Sequence, residues 1–137
     1  MTILDVESTL NNTLQSFRAE YPIDVQYSNT DYTPVVGVPY LKVDLVSATT
    51  NSVGVGQNTK NREVGFYQID IVVPSLSGKA TVKQYLDGLQ KYFKRGSSLV
   101  FNGVGVRVLR FRSVQEVSEA VWFRHTVRVE YRSDIEN

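Results

Sequence analysis

The 137-residue sequence contains no cysteine, one histidine, one tryptophan, one methionine and four prolines, and nowhere approaches the ~20 apolar residues of a membrane-spanning helix. Without cysteine there are no disulfides and no thiolate metal sites, and nothing follows about compartment. A single histidine makes no histidine-based metal centre by itself. The carboxylates Asp5, Glu7, Asp24, Asp31, Asp44, Glu63 and Asp70 are scattered, without the pairing that acid–base catalysis or a cation site needs. No Gly-x-Ser-x-Gly elbow is present. Gly54-Val55-Gly56 and Gly103-Val104-Gly105 do not continue into a dinucleotide fingerprint or a Walker lysine, so flexibility and turn geometry account for them. The opening Met1-Thr2-Ile3-Leu4-Asp5 lacks a basic leader and an apolar run, which predicts synthesis in the cytoplasm. These absences predict a protein with no enzymatic activity, no cofactor, no metal and no membrane partner.

What is present is ordinary globular composition, 42% hydrophobic and 21% charged. The length suits one domain, residues 1–137, with one core. The net charge of +1 hides an asymmetry: residues 1–78 hold four Lys/Arg against eight Asp/Glu, and residues 79–137 hold eleven against six. Such a distribution suits a basic surface for nucleic acid, two complementary surfaces that join copies head to tail, or simply solvated faces.

The most regular segment runs from Arg62 to Pro74. Tyr67, Ile69, Ile71 and Val73 alternate with Gln68 and Asp70, the two-residue period of a half-buried strand, and Pro74 ends it. Before it, Ile3, Val6, Leu10, Leu14 and Phe17 form the apolar stripe of a helix over 3–20, with Thr2 as its N-cap and Pro22 beyond its end. Val25 to Tyr27 predicts a short strand and Ser28 to Pro39 a loop. Leu41, Val43 and Leu45 predict a strand of about eight residues from Tyr40, and the polar run Ala48 to Asn61 a long mobile loop. After Pro74, Val82, Leu86, Leu89 and Phe93 mark a second helix, capped by Ser77 and closed at Gly96. Asn102-Gly103 predicts a tight hairpin between Ser98–Phe101 and Val104–Arg112. Ser113 to Glu119 reads as a loop, Val121 to Arg132 as the last strand and Ser133 to Asn137 as a loose tail. The predicted fold is a two-layer α+β domain, with two amphipathic helices on one face of a mostly antiparallel sheet of five or six strands.

On the last strand, Val121, Phe123, His125, Val127, Val129 and Tyr131 share one face, which makes His125 a satisfied core or interface residue. Trp122, Arg124, Thr126, Arg128, Glu130 and Arg132 share the other, and Arg110 and Arg112 extend the basic row if the two strands pair. A nucleic-acid platform interleaves exposed aromatics with such charges, and only Trp122 qualifies here, so an Arg/Trp protein–protein surface is the better reading.

Gly37-Val38-Pro39 followed by Tyr40-Leu41-Lys42-Val43, the strand Tyr67-Gln68-Ile69-Asp70-Ile71-Val72-Val73-Pro74, Gly96-Ser97-Ser98-Leu99, Trp122-Phe123 and the closing Val129-Glu130-Tyr131-Arg132-Ser133-Asp134 occur in an order that resembles the tail-terminator-like proteins of long-tailed bacteriophages. The resemblance spans nearly the whole chain. It implies a virion protein at the head-proximal end of the tail, made in the host cytoplasm. Such proteins form a homohexameric ring on the completed tail tube, stop its growth and dock on the head connector, with DNA passing through the lumen. It implies no active site and no cofactor. On this reading Trp122, Arg124, Arg128 and Arg132 contact neighbouring subunits, and the loop carrying Val53, Gly54, Val55, Gly56, Gln57, Asn58 and Lys60 contacts the tail tube. The alternatives are another head–tail completion protein of similar fold and a small nucleic-acid-binding module.

Overall fold

The computed structural model describes residues 3–27, 33, 37–53, 60–75, 78–119 and 121–136. Along the chain come helix α1 (Ile3–Glu20), strands β1 (Asp24–Gln26), β2 (Tyr40–Val53) and β3 (Lys60–Pro74), helix α2 (Gly78–Tyr92), and strands β4 (Ser98–Phe101), β5 (Val104–Ser118) and β6 (Trp122–Glu136). The six strands form one sheet in the order β1-β2-β3-β6-β5-β4. β1 and β2 are parallel; all other neighbours are antiparallel. The class is α+β, as the alternating and helical periods predict.

Both helices form where an apolar stripe recurs at helical spacing. In α1, Val6, Leu10, Leu14 and Phe17 are fully buried; in α2, Val82 and Leu89 are buried, as is Phe93 just beyond its end. They join one core with Leu41 and Val43 of β2, Tyr67, Ile69, Ile71 and Val73 of β3, Val104, Val106 and Val108 of β5, and Val129 and Tyr131 of β6. The strand residues in this core are register partners: Leu41 faces Ile71, Val43 faces Ile69, Tyr67 faces Val129 and Val108 faces Tyr131. Each buried aliphatic side chain contributes roughly 1.5–3 kcal/mol by leaving water. This core is the main source of the fold's stability.

Two turns match their chemistry. Asn102 and Gly103 have φ of 52° and 80°, the left-handed pair that a two-residue hairpin between β4 and β5 requires. Gly96 has φ of 83° just past α2, and its amide donates to the Val108 carbonyl at 2.8 Å. The expected caps Thr2 and Ser77 lie outside the described residues, as does most of the 28–36 segment expected as a loop.

Three segments expected as loop or tail are strand instead. The Ala48–Asn61 run is largely ladder, because β2 and β3 stay paired out to Val53 and Lys60, leaving 54–59 outside the described residues. β6 does not stop at Arg132: Ser133, Asp134, Ile135 and Glu136 pair with Glu63, Arg62, Asn61 and Lys60. β3 thus has a hydrogen-bonded neighbour on each side at its Lys60 end, and backbone pairing carries this polar sequence as strand. In β5, residues 113–118 also pair with β6, and register shifts fall between Val108 and Arg110 and between Ser113 and Gln115. Each shift inserts one residue and inverts the alternation, so no continuous two-residue period marks this strand in the sequence.

Candidate interaction surface on the last two strands

β5 and β6 pair, and the pairing assembles the arginines. Across the ladder Arg107 faces Arg132, Arg110 faces Glu130 and Arg112 faces Arg128. Arg124 lies further along β6, opposite Val117. These residues occupy the alternation opposite to the core residues Val127, Val129 and Tyr131, so their guanidinium groups point away from the core.

The sequence places these charges on one row, and the structure shows how each is held. Arg128 stacks over the Phe66 ring, 4.4 Å from its centroid, and its Nε donates to Gln68 Oε1 at 3.2 Å. Arg110 and Arg112 approach the same carboxylate oxygen of Glu130, both at 3.8 Å. Arg124 pairs with Glu119 at 3.4 Å. The Nε atoms of Arg112 and Arg124 are buried and have no hydrogen-bond partner among the described residues. Trp122 is half-buried and meets Tyr40 edge-on at 5.6 Å, anchoring the start of β6 against β2. Burial raises the Tyr40 phenol above the usual tyrosine range, partly offset by nearby Arg124. Phe66 and Tyr40, which position Arg128 and Trp122, are contributions that the sequence alone leaves unassigned, because they come from strands 50 or more positions away.

On the same alternation as this row, Asp70 is buried and accepts a 2.6 Å hydrogen bond from the Thr126 hydroxyl. His125 is buried on the core alternation. Its Nε2 lies 2.9 Å from the Ser113 hydroxyl and its Nδ1 lies 3.1 Å from Glu116 Oε1. Both ring nitrogens therefore have partners, so the ring is held in one orientation between β5 and β6.

The tube-contact residues expected around the β2–β3 turn are only partly visible. Val53 and Lys60 face each other as the last pair of the β2–β3 ladder; Gly54, Val55, Gly56, Gln57 and Asn58 lie outside the described residues. Of the arginine row, Arg132 pairs with Val64, four residues from Lys60, and Arg124 pairs with Val72, near the opposite end of β3.

An open cleft of about 610 Å³ is bounded by Arg18, Ile23, Asp24, Pro39 and Tyr85, and one of about 260 Å³ by Lys79, Lys83, Phe123 and His125. Among the described residues no three His, Asp or Glu side chains are grouped to hold a metal ion, and no helix is long and apolar enough to cross a membrane.

Comparison with known proteins gives three results. The family model described as phage tail terminator protein matches residues 5–131. One solved structure is 22% identical, covers 100% of this chain and 97% of its own, and superposes with a TM-score of 0.73. A chain in the virion of a native gene transfer agent particle is 17% identical, covers 97% of this chain and 96% of its own, and superposes with a TM-score of 0.62. Both share the fold. No curated protein sequence matches. With the family model matching from α1 to the last core residue of β6, the chain belongs to the phage tail terminator protein family and is a structural protein of the bacteriophage tail.

Proposed function

We propose that this protein is a tail terminator acting as a ring. A single domain of residues 1–137, its two helices on one face of the sheet, assembles as a homohexamer on the head-proximal end of the tail tube. There it stops tube polymerisation and presents the surface on which the head connector docks, with DNA passing through its lumen. It is made in the host cytoplasm and takes part as a structural element, without a cofactor or a catalytic step. The observation that carries this reading is the family match over residues 5–131. The opposite charge balances of residues 1–78 and 79–137 agree with it, because a closed ring joins two different surfaces of each subunit.

Within the ring, neighbouring subunits meet through Trp122, Arg124, Arg128 and Arg132. The tail tube meets the β2–β3 turn, from Val53 to Lys60. Supporting the first assignment is the rigid seating of Trp122 on Tyr40 and of Arg128 on Phe66, which lowers the entropy cost of burying both in an interface.

The test combines light scattering over a concentration series with sedimentation against purified, uncapped tail tubes. The expected result is a ring-sized mass, or a monomer that co-sediments with tubes and blocks their growth. A monomer that ignores tubes at every concentration would refute the terminator reading and leave another head–tail role.

A further inference from the structure

We infer that copies of this chain join through their sheet edges, the outer edge of β5 in one copy pairing antiparallel with the outer edge of β2 in a second copy. This deepens the ring reading above and rests on it, adding backbone pairing to the side-chain contacts proposed there.

The sheet leaves a long edge open on each side. Four strands of 14 or 15 residues, β2, β3, β6 and β5, are flanked by β1 of three residues and β4 of four. β1 covers β2 only at Tyr40 to Lys42; β4 covers β5 from Val104 to Arg107, with Gly96 and Ser97 bonding Val108. Among the described residues, no strand pairs with the outer side of β2 over 46–53 or of β5 over 109–118. Such an edge is a template for another strand unless lysine, proline or outward charge blunts it. Neither stretch holds a lysine or a proline, and 45–53 holds no charged residue. On β5, Arg110 and Arg112 lean toward Glu130 and Glu116 bonds His125, so its charges are directed at partners on β6. The register shifts bend both strands, yet the edges carry exposed apolar side chains: Val46 at 42%, Leu109 at 39% and Val114 at 37%.

The two edges fit each other in direction and extent, which makes a second copy the occupant. β2, β3, β6 and β5 alternate in direction, so β2 and β5 run opposite ways. β5 set beside β2 of an equally oriented copy therefore continues the antiparallel alternation. The covering strands lie at opposite ends of the sheet. β1 sits on Tyr40, which pairs with Val72 near one end of β3, and β4 sits on Arg107, opposite Arg132, which pairs with Val64 toward the other. Each short strand is thus an end stop that confines the pairing to the uncovered stretches and limits its register. Two unlike edges joined in this way make a heterologous contact, the kind that repeats from copy to copy and closes as a ring. A peptide of another protein added to one edge would leave the other open.

The test uses the absence of native cysteine. Ser47→Cys on β2 is combined in turn with Val114→Cys, Gln115→Cys and Ser118→Cys on β5, and each protein is oxidised in solution and on tail tubes. A disulfide needs Cα atoms within about 7 Å, and two strands separate β2 from β5 within one copy, so any bond formed joins two copies. The expected result is a ladder of covalent multimers ending at the ring mass for at least one combination, and nothing beyond a dimer for any single-cysteine variant. Val46→Lys and Val114→Lys, both at exposed positions, should leave the melting temperature of the monomer unchanged and raise the concentration of half-assembly about tenfold or more. If the wild-type protein assembles or caps tubes while no combination cross-links and both lysine variants assemble normally, this inference is overturned and the ring reading stands. If the wild-type protein neither assembles nor caps tubes, both fall. Lysine variants that keep the ring mass but no longer cap tubes would overturn it in favour of an edge that docks on the tail tube.

Discussion

The Tyr131 phenol donates a 2.6 Å hydrogen bond to Glu63 Oε1, and both side chains are almost completely removed from solvent, at 0% and 2% exposure. The pair ties β6 to β3 where the apolar core gives way to the polar ends of the strands. A buried carboxylate that loses its donor keeps its desolvation cost. Tyr131→Phe should therefore destabilise the fold by about 1–3 kcal/mol, read from the urea midpoint.

Alkaline pH tests the same group. Burial first, and the bond to Glu63 second, push the Tyr131 phenol well above the usual tyrosine range. Because the folded value is raised, its contribution is complete below the ordinary value of about 10 and is lost as pH rises beyond it, where only the unfolded chain ionises. Unfolding midpoints should fall between pH 9 and about 11.5, and less steeply in Tyr131→Phe. Tyr67, also raised by burial, retains part of the slope in that variant.

Gly65 is required by contact. A Cβ there would lie 2.3 Å from the Val46 carbonyl oxygen and 3.0 Å from the Tyr131 hydroxyl, beside the irregularity between Ser47 and Thr49. Gly65→Ala should lower stability by about 1–3 kcal/mol through forced backbone displacement. Gly105→Ala is the control: it has nothing within 4 Å, so it should be neutral or stabilising by about 0.5 kcal/mol in the same thermal melt.

Gly88 sets two effects against each other. Alanine in a helix gains about 1 kcal/mol over glycine, but a Cβ at Gly88 would come within 2.8 Å of ring carbons of both Phe17 and Tyr21. Phe17 is fully buried and stacked on Tyr21 with centroids 5.1 Å apart, leaving it little room to yield. Gly88→Ala should therefore lower the melting temperature, and a Tyr21→Ala background should reduce that loss.

The tie between the helices is acid-sensitive. Tyr92 donates to Glu20 at 2.5 Å and Lys91 at 3.1 Å, and these bonds hold the Glu20 carboxyl below its usual value. With the folded value lowered, the contribution is present above the ordinary glutamate range and lost as pH falls through the folded value. An NMR titration should show Glu20 protonating below the ordinary glutamate value, and Tyr92→Phe should move it back upward.

The helices and the middle of the sheet were legible because apolar periodicity is a direct consequence of burying one side of an element. α1 and α2, the alternation of Tyr67 to Val73 and the Asn102-Gly103 turn all carry that signature or an equally local one. The ends of β2, β3 and β6 were not legible, because Thr49 to Val53, Lys60 to Arg62 and Ser133 to Glu136 are mostly polar in sequence, and their ladder pairing leaves no apolar period to read. The second half of β5 was hidden by its two register shifts, which break the period that reveals a strand. In the candidate surface, the row Arg124, Arg128 and Arg132 followed from spacing alone. The partners of Arg128 and Arg124, Phe66, Gln68 and Glu119, and the Tyr40 that seats Trp122, did not.

By itself, then, the sequence determined the two helical stripes, the strand alternation, the one arginine-bearing side of β6 and the order of motifs along the chain, because each depends on residues a few positions apart. The tertiary structure alone decided that Arg107 and Arg112 stand opposite Arg132 and Arg128, that Tyr131 meets Glu63, and that Gly65 and Gly88 sit where no side chain fits. Those relationships depend on strand order and register, and one inserted residue in β5 is enough to change which side chains face each other.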